Sequence, residues 1–131
     1  MNIGDVAAAT GLPAKTIRYY ESVGLIDAPA RSDGNYRLYD KRQLQTLRFI
    51  QHARQLGFSI KEVGALVALW RDQRRASADV RRLALEHLDQ IDARIAELRR
   101  MRQTLQSLVE RCHGDHRPDC PILDELAEEN H

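Results

Sequence analysis

The chain has 131 residues, 43% hydrophobic and 30% charged, which excludes a disordered polyampholyte and fits one domain, or a small domain with an extension. No apolar run approaches the roughly 20 residues of a membrane span, and the opening "MNIGDVAAATG" lacks the charged region and apolar core of a secretion signal, so a cytoplasmic protein is expected. The net charge of +1 is unevenly divided: residues 1–70 carry nine Lys/Arg against six Asp/Glu, and residues 71–131 carry eleven against thirteen, so a mildly basic front could meet an anion such as DNA.

In chain order, "IGDVAAA" at residues 3–9 reads as a short helix with Asn2 as its N-cap. Gly11 supplies the left-handed conformation of a tight turn, and Pro13 starts a second helix that reaches about Val23 before Gly24 stops it. Two short helices around a Gly-containing turn form a helix-turn-helix pattern. Lys15, Arg18, Tyr19 and Ser22 share one face of the second helix, while Ile17, Tyr20 and the following Leu25 turn inward. That polar face is either solvated or a surface for phosphates and base edges.

In "ARSDGNYRLYD" the pair Asp33-Gly34 favours a tight hairpin turn, with Arg31 on the incoming limb and a strand from Asn35 to Tyr39. Alternation places Asn35, Arg37 and Tyr39 on one side and Tyr36 and Leu38 on the other. Asp40 with Gln43, and Ser59 with Glu62, are capping boxes that start a third and a fourth helix, the third ending at Gly57. Trp70 is read as core packing, and residues 71–78 as a polar connector.

From Asp79 to Arg111 there is neither Gly nor Pro, and apolar residues recur at Ala84, Leu88, Ile91, Ile95, Leu98, Leu105 and Val109, with Arg102 in one polar slot of the same heptad rhythm. A lone helix of roughly 50 Å cannot bury such a stripe, and the chain offers no second long helix, so a two-fold homodimer is expected, presenting two heads to a palindromic DNA site. Beyond it, "ERCHGDHRPDC" holds both cysteines, Cys112 and Cys120, among His113, His116 and two aspartates. Read as chemistry alone, the pair admits a soft-metal site, a zinc site completed by imidazoles, or a disulfide; a catalytic redox pair is disfavoured because the spacing is not C-x-x-C. No catalytic triad, phosphate loop or carboxylate pair marks an enzyme.

"IGDVAAATGLPAKTIRYYESVGLI", "RSDGNYRLYD" and "LGFSIKEVGAL" together resemble the MerR family of bacterial transcription regulators across essentially the whole chain. The resemblance implies a mainly α fold: a winged helix-turn-helix head with two supporting helices (1–70), the connector (71–78), a dimerisation helix forming an antiparallel coiled coil (79–111), and a metal-binding loop with a short C-terminal helix (112–131). It implies DNA contacts from Lys15, Arg18 and Tyr19 and, in the wing, from Arg31, Tyr36 and Arg37. That places Tyr36 toward DNA, whereas alternation sets it opposite Arg37. It also implies promoter distortion that aligns elements for RNA polymerase.

"SADV" and "CHGDHRPDCPIL" are similar to the copper-efflux branch of that family, which implies one Cu(I), or Ag(I) or Au(I), per protomer between Cys112 and Cys120. Ser77 would come from the other protomer, at a position where divalent-sensing branches carry cysteine. Two thiolates and a monovalent ion leave a charge of −1, which neighbouring N–H donors would favour. His113 and His116 are expected to be solvent-exposed or only supporting, and His131 a frayed end. Metal binding is expected to order a helix at about Ile122–Glu128, with Ile122, Leu123 and Leu126 packing against the coil or a head. The competing readings are a regulator responding to zinc, oxidation or an organic ligand, and a constitutive architectural DNA binder.

Overall fold

Short capped helices lead the chain. The structure, a computed structural model, describes residues 1–128; His131 lies outside the described residues. The order is α1 (Ile3–Thr10), α2 (Ala14–Ser22), β1 (Ala30–Arg31), β2 (Arg37–Leu38), α3 (Lys41–Gln55), α4 (Ile60–Arg71), α5 (Ser77–Arg111) and α6 (Pro121–Ala127). The protein is therefore mainly helical, and its two strands form one antiparallel hairpin with Ala30 opposite Leu38 and Arg31 opposite Arg37. The chain separates into two compact units, Met1–Arg81 and Arg82–His131.

In the first unit α1, α3 and α4 start at side-chain caps, whereas α2 starts after Pro13 with none. Asn2 accepts the Asp5 N–H at 2.8 Å while Asp5 accepts the Asn2 N–H at 3.1 Å, a reciprocal cap whose second half is not expected from Asn2 alone. The boxes at Asp40/Gln43 and Ser59/Glu62 both form. Gly11 (φ 73°), Gly24 (φ 80°) and Gly57 (φ 89°) take the left-handed conformation that stops α1, α2 and α3. The hairpin corrects one expectation. The turn is longer than the tight Asp33-Gly34 turn expected: its left-handed residue is Asn35 (φ 63°), and it closes with Asn35 N–H donating to Ser32 O (2.8 Å) and Ser32 N–H to Tyr36 O (2.9 Å). Asparagine tolerates this region, so Asp33-Gly34 sits within a longer loop and the second strand shrinks to Arg37–Leu38.

The core gathers Val6, Ile17, Leu47, Ile50 and Val63, all fully buried, with Tyr20, Leu25, Ile26, Tyr39, Phe58 and Val67 around them. α3 lies between α1 and α4, and Gln51 Nε2 donates to Thr10 O at 2.7 Å, satisfying a carbonyl at the end of α1. Trp70 stacks on Phe49 with ring centroids 4.5 Å apart and planes 9° from parallel, half-buried at the edge of the core.

In the second unit α5 dominates. It spans Ser77–Arg111, 35 residues, and starts two residues before the expected Asp79. Ser77 is its first helical residue, next to Ala76, whose carbonyl accepts the Asp79 N–H at 3.1 Å. The expected stripe stands in water: Leu88, Ile95, Leu98, Leu105 and Val109 are 41–54% exposed. Among the described residues no helix is long and apolar enough to cross a membrane.

Leu47→Ala should lower stability by about 2–5 kcal/mol, because Leu47 is fully buried where α3 meets its neighbours. Chemical denaturation checks this, and a loss under about 1 kcal/mol would contradict the assigned core.

Candidate functional site

Ile17 and Tyr20 anchor α2 in the core, which leaves Lys15, Arg18 and Tyr19 outside, Tyr19 being 50% exposed. Ser22 is committed to its own helix, its hydroxyl donating to Tyr19 O at 2.7 Å. The hairpin carries Arg31, whose guanidinium donates to Asn35 O at 3.3 Å, and Tyr36, which is 74% exposed. Arg18 from α2 joins Arg31, Asn35, Tyr36 and Arg37 from the hairpin, with Asn2 and Ile3, around one concavity of about 200 Å³. Lys15 and Tyr19 stand on α2 outside it. Three guanidinium groups, an exposed phenol and the N-terminal turn of a helix form a surface suited to anionic backbone.

The two sides of the wing are now distinguishable. Alternation holds over Tyr36–Tyr39, where the side shared by Arg37 and Tyr39 faces the protein, while Asn35 belongs to the turn and is exposed. Tyr39 is buried, and its hydroxyl donates to Glu21 Oε2 at 3.4 Å; Arg37 Nε meets the same oxygen at 3.3 Å. Tyr36 projects outward, so the direction implied by the resemblance and the alternation agree once Arg37 is seen as half-buried against α2. Glu21, which the sequence reading passed over, thereby ties α2 to the wing. Its signal was available, since Glu21 lies one turn after the buried Ile17 on the inward face of α2. The Tyr39 phenol is held above its ordinary pKa, first by burial and then by the Glu21 carboxylate, with Arg37 and Arg18 opposing.

The cysteines sit at two helix ends. Cys112 closes α5, its N–H donating to the carbonyls of Leu108 and Val109, both at 3.1 Å. Gly114 (φ 65°) then reverses the chain, and Asp115 accepts from Arg117 N–H and Nε, both at 2.9 Å. Cys120 precedes α6 in extended conformation; its side chain makes no cap hydrogen bond, and Pro121 opens the helix. Both cysteines are free and half-buried, while His113 and His116 are exposed. Among the described residues no three His, Cys, Asp or Glu side chains gather into a group that could hold a metal ion. This donor set fits a two-coordinate thiolate site better than a four-coordinate zinc site. α6 begins at Pro121, one residue before the expected Ile122; Leu123 and Leu126 remain exposed, and Leu126 joins Met101, Leu105 and Leu108 of α5 along a groove of about 440 Å³.

Two family models match the chain: "MerR HTH family regulatory protein" over residues 1–69 and "MerR, DNA binding" over residues 44–108. Heavy metal-dependent transcription regulator 2 of Rhizobium meliloti is 48% identical over 127 residues, covering 97% of this chain and 86% of that protein. The transcriptional regulator CueR of Salmonella typhimurium is 48% identical, covering 97% and 92%. Among solved structures, the lead(II) complex of PbrR691 from Ralstonia metallidurans superposes with a TM-score of 0.82 at 35% identity, covering 97% of this chain and 99% of that one.

The raised Tyr39 pKa has a pH consequence. A phenol whose folded pKa exceeds its unfolded one contributes stability that is complete below about pH 10 and lost as pH rises through the folded value. Tyr39→Phe should therefore flatten the alkaline decline in stability, read by urea denaturation across about pH 9–11. An equal decline in both proteins would contradict the shift.

Proposed function

The chain belongs to the MerR family of helix-turn-helix transcription regulators, which are not enzymes, and from that premise we propose that it is a homodimeric, copper-responsive promoter activator. Metal responsiveness rests on relatives named as metal-dependent regulators. The choice of ion rests on the loop. The observation that carries it is the pair of free, half-buried thiols bracketing one loop, with both histidines exposed and, among the described residues, no third donor gathered.

When bound, a monovalent d¹⁰ ion supplies a linear link between two thiolates. Cys112 and Cys120 would hold it, at the end of α5 and the start of α6. The lead(II) complex of a 35%-identical relative makes a divalent ion the main competitor. Cu(I), Ag(I) or Au(I) is favoured because Ser77, at the start of α5, would come from the other protomer at a position where the resemblance gives divalent-sensing branches a cysteine.

The head would read a palindromic operator in the cytoplasm. Arg18, Arg31 and Tyr36 converge on one concavity that suits phosphate, Arg37 reaches it while held by Glu21, and Lys15 and Tyr19 extend the face along α2. Ordering of the loop and α6 would bias a two-state dimer, whose heads distort the promoter so that RNA polymerase engages it. The wing cations set affinity and the loop sets output, so the two are separable by mutation.

Cys112→Ser and Cys120→Ser should each abolish copper-dependent transcription while leaving operator affinity within about twofold, measured by in vitro transcription and fluorescence anisotropy. Competition with a Cu(I) chelator should show Cu(I) held far more tightly than Zn(II); comparable affinities would sink the monovalent reading. Arg31→Ala should weaken operator binding and lower the salt dependence of log K by about one ion. An unchanged slope would remove Arg31 from the phosphate contacts.

A further inference from the structure

A carboxylate beside a DNA-binding surface works against it, because it repels the phosphates that neighbouring cations attract. Glu21 is such a group. It lies on α2 three residues after Arg18, with 15% of its side chain exposed, and its Oε2 is 3.3 Å from Arg37 Nε. Arg18 and Arg37 line the concavity of the head, whereas Glu21 does not, so the acid stands behind the guanidinium groups. The charges of Glu21, Arg37 and Arg18 all act on the Tyr39 phenol, which makes the four groups one electrostatic cluster. A negative charge at this place needs a use that offsets its repulsion of DNA.

Arginine carries one N–H on Nε and two on each terminal nitrogen. Arg37 Nε donates to Glu21, so a phosphate in the concavity meets the terminal nitrogens alone, end-on. Glu21 is itself held: the Tyr39 hydroxyl donates to the same oxygen at 3.4 Å, and Tyr39 is buried in the core. Direction thus passes from the core through Tyr39 and Glu21 to Arg37. A guanidinium fixed in this way forms full charge-assisted bonds with a phosphate at one position, and follows a phosphate elsewhere only by giving up the carboxylate. Arg31 is the contrast within the same wing, since it rests on a backbone carbonyl, Asn35 O at 3.3 Å, and remains exposed. A mobile cation follows the backbone of any duplex, which is the source of sequence-independent binding.

We propose that Glu21 is a specificity-determining residue: it holds Arg37 end-on to the operator backbone and, by its own charge, weakens binding to DNA whose backbone runs elsewhere. Glu21 acts through Arg37 and is therefore a positioning residue. This rests on Arg37 as a DNA contact in the proposed function and adds what sets its direction and its selectivity. The two effects of Glu21 have opposite signs. Removing the acid should tighten binding to an arbitrary duplex, whereas losing the tether should weaken binding to the operator, so the ratio of the two affinities carries both.

The test titrates the full-length protein into two duplexes of equal length by fluorescence anisotropy over a range of salt. One is an operator selected from a random pool by the wild-type protein, the other a random sequence. Glu21→Ala should bind the operator roughly tenfold more weakly and the random duplex equally or more tightly. Glu21→Gln, which keeps the shape and removes the charge, should move the ratio the same way by a smaller factor, and serves if the alanine variant fails to fold. Arg37→Lys keeps the cation without the planar fork and should reproduce the operator loss. In an Arg37→Ala background, Glu21→Ala should no longer weaken operator binding. Circular dichroism and thermal unfolding verify that each variant is folded. Operator binding that is unchanged or tighter in Glu21→Ala would overturn the proposal, as would an equal loss on both duplexes or a loss that persists without Arg37. Wild-type operator affinity and salt slope in Arg37→Ala would instead overturn the DNA contact beneath it.

Discussion

A 35-residue helix cannot bury an apolar stripe against itself, and most of this protein's organisation follows from that constraint. The stripe on α5 exposes Leu88, Ile95, Leu98, Leu105 and Val109 by about half each. Covering such side chains is worth on the order of 1 kcal/mol apiece, so a second stripe of matching rhythm is a strong attractor. The helix cannot shorten without losing part of the stripe, and Arg102 interrupts that stripe with a cation. A dimeric regulator with two DNA-reading heads can join them through this one element.

The reading head solves a different problem, the positioning of a small hairpin that has no core of its own. Two two-residue strands cannot hold their place by ladder hydrogen bonds alone. Tyr39 instead sinks into the core, and Glu21 receives both Tyr39 and Arg37, which joins the wing to the helix beside it. The arrangement divides labour among the cations. Arg37 is oriented by a carboxylate, whereas Arg31 and Tyr36 remain at the surface. The orientation of a recognition helix relative to its wing is thereby set by one half-buried acid.

The cysteine loop uses helix ends in place of a rigid scaffold. Cys112 inherits its position from the last turn of α5 and Cys120 from the first turn of α6, with Gly114 reversing the chain between them. His113 and His116 are exposed, and among the described residues no three His, Cys, Asp or Glu side chains gather into a group that could hold a metal ion.

Much of this was legible in residue order, because helix caps, left-handed glycines and heptads are local rules. Asn2, Asp40 with Gln43, Ser59 with Glu62, and Gly11, Gly24 and Gly57 each act within a few residues of themselves, and the structure follows them. The α5 stripe is equally a one-dimensional pattern. What residue order could not decide was which side of the wing faces inward, where its turn takes the left-handed residue, and what Glu21 touches. Period-two alternation sorts Arg37 and Tyr39 from Tyr36 but carries no direction; only the packing of the hairpin on α2, sixteen or more residues away in sequence, assigns one side to the core. Sequence alone therefore determined the elements and set the two thiols on one loop, while the tertiary structure decided which charged groups are held and which are presented, because that depends on long-range burial.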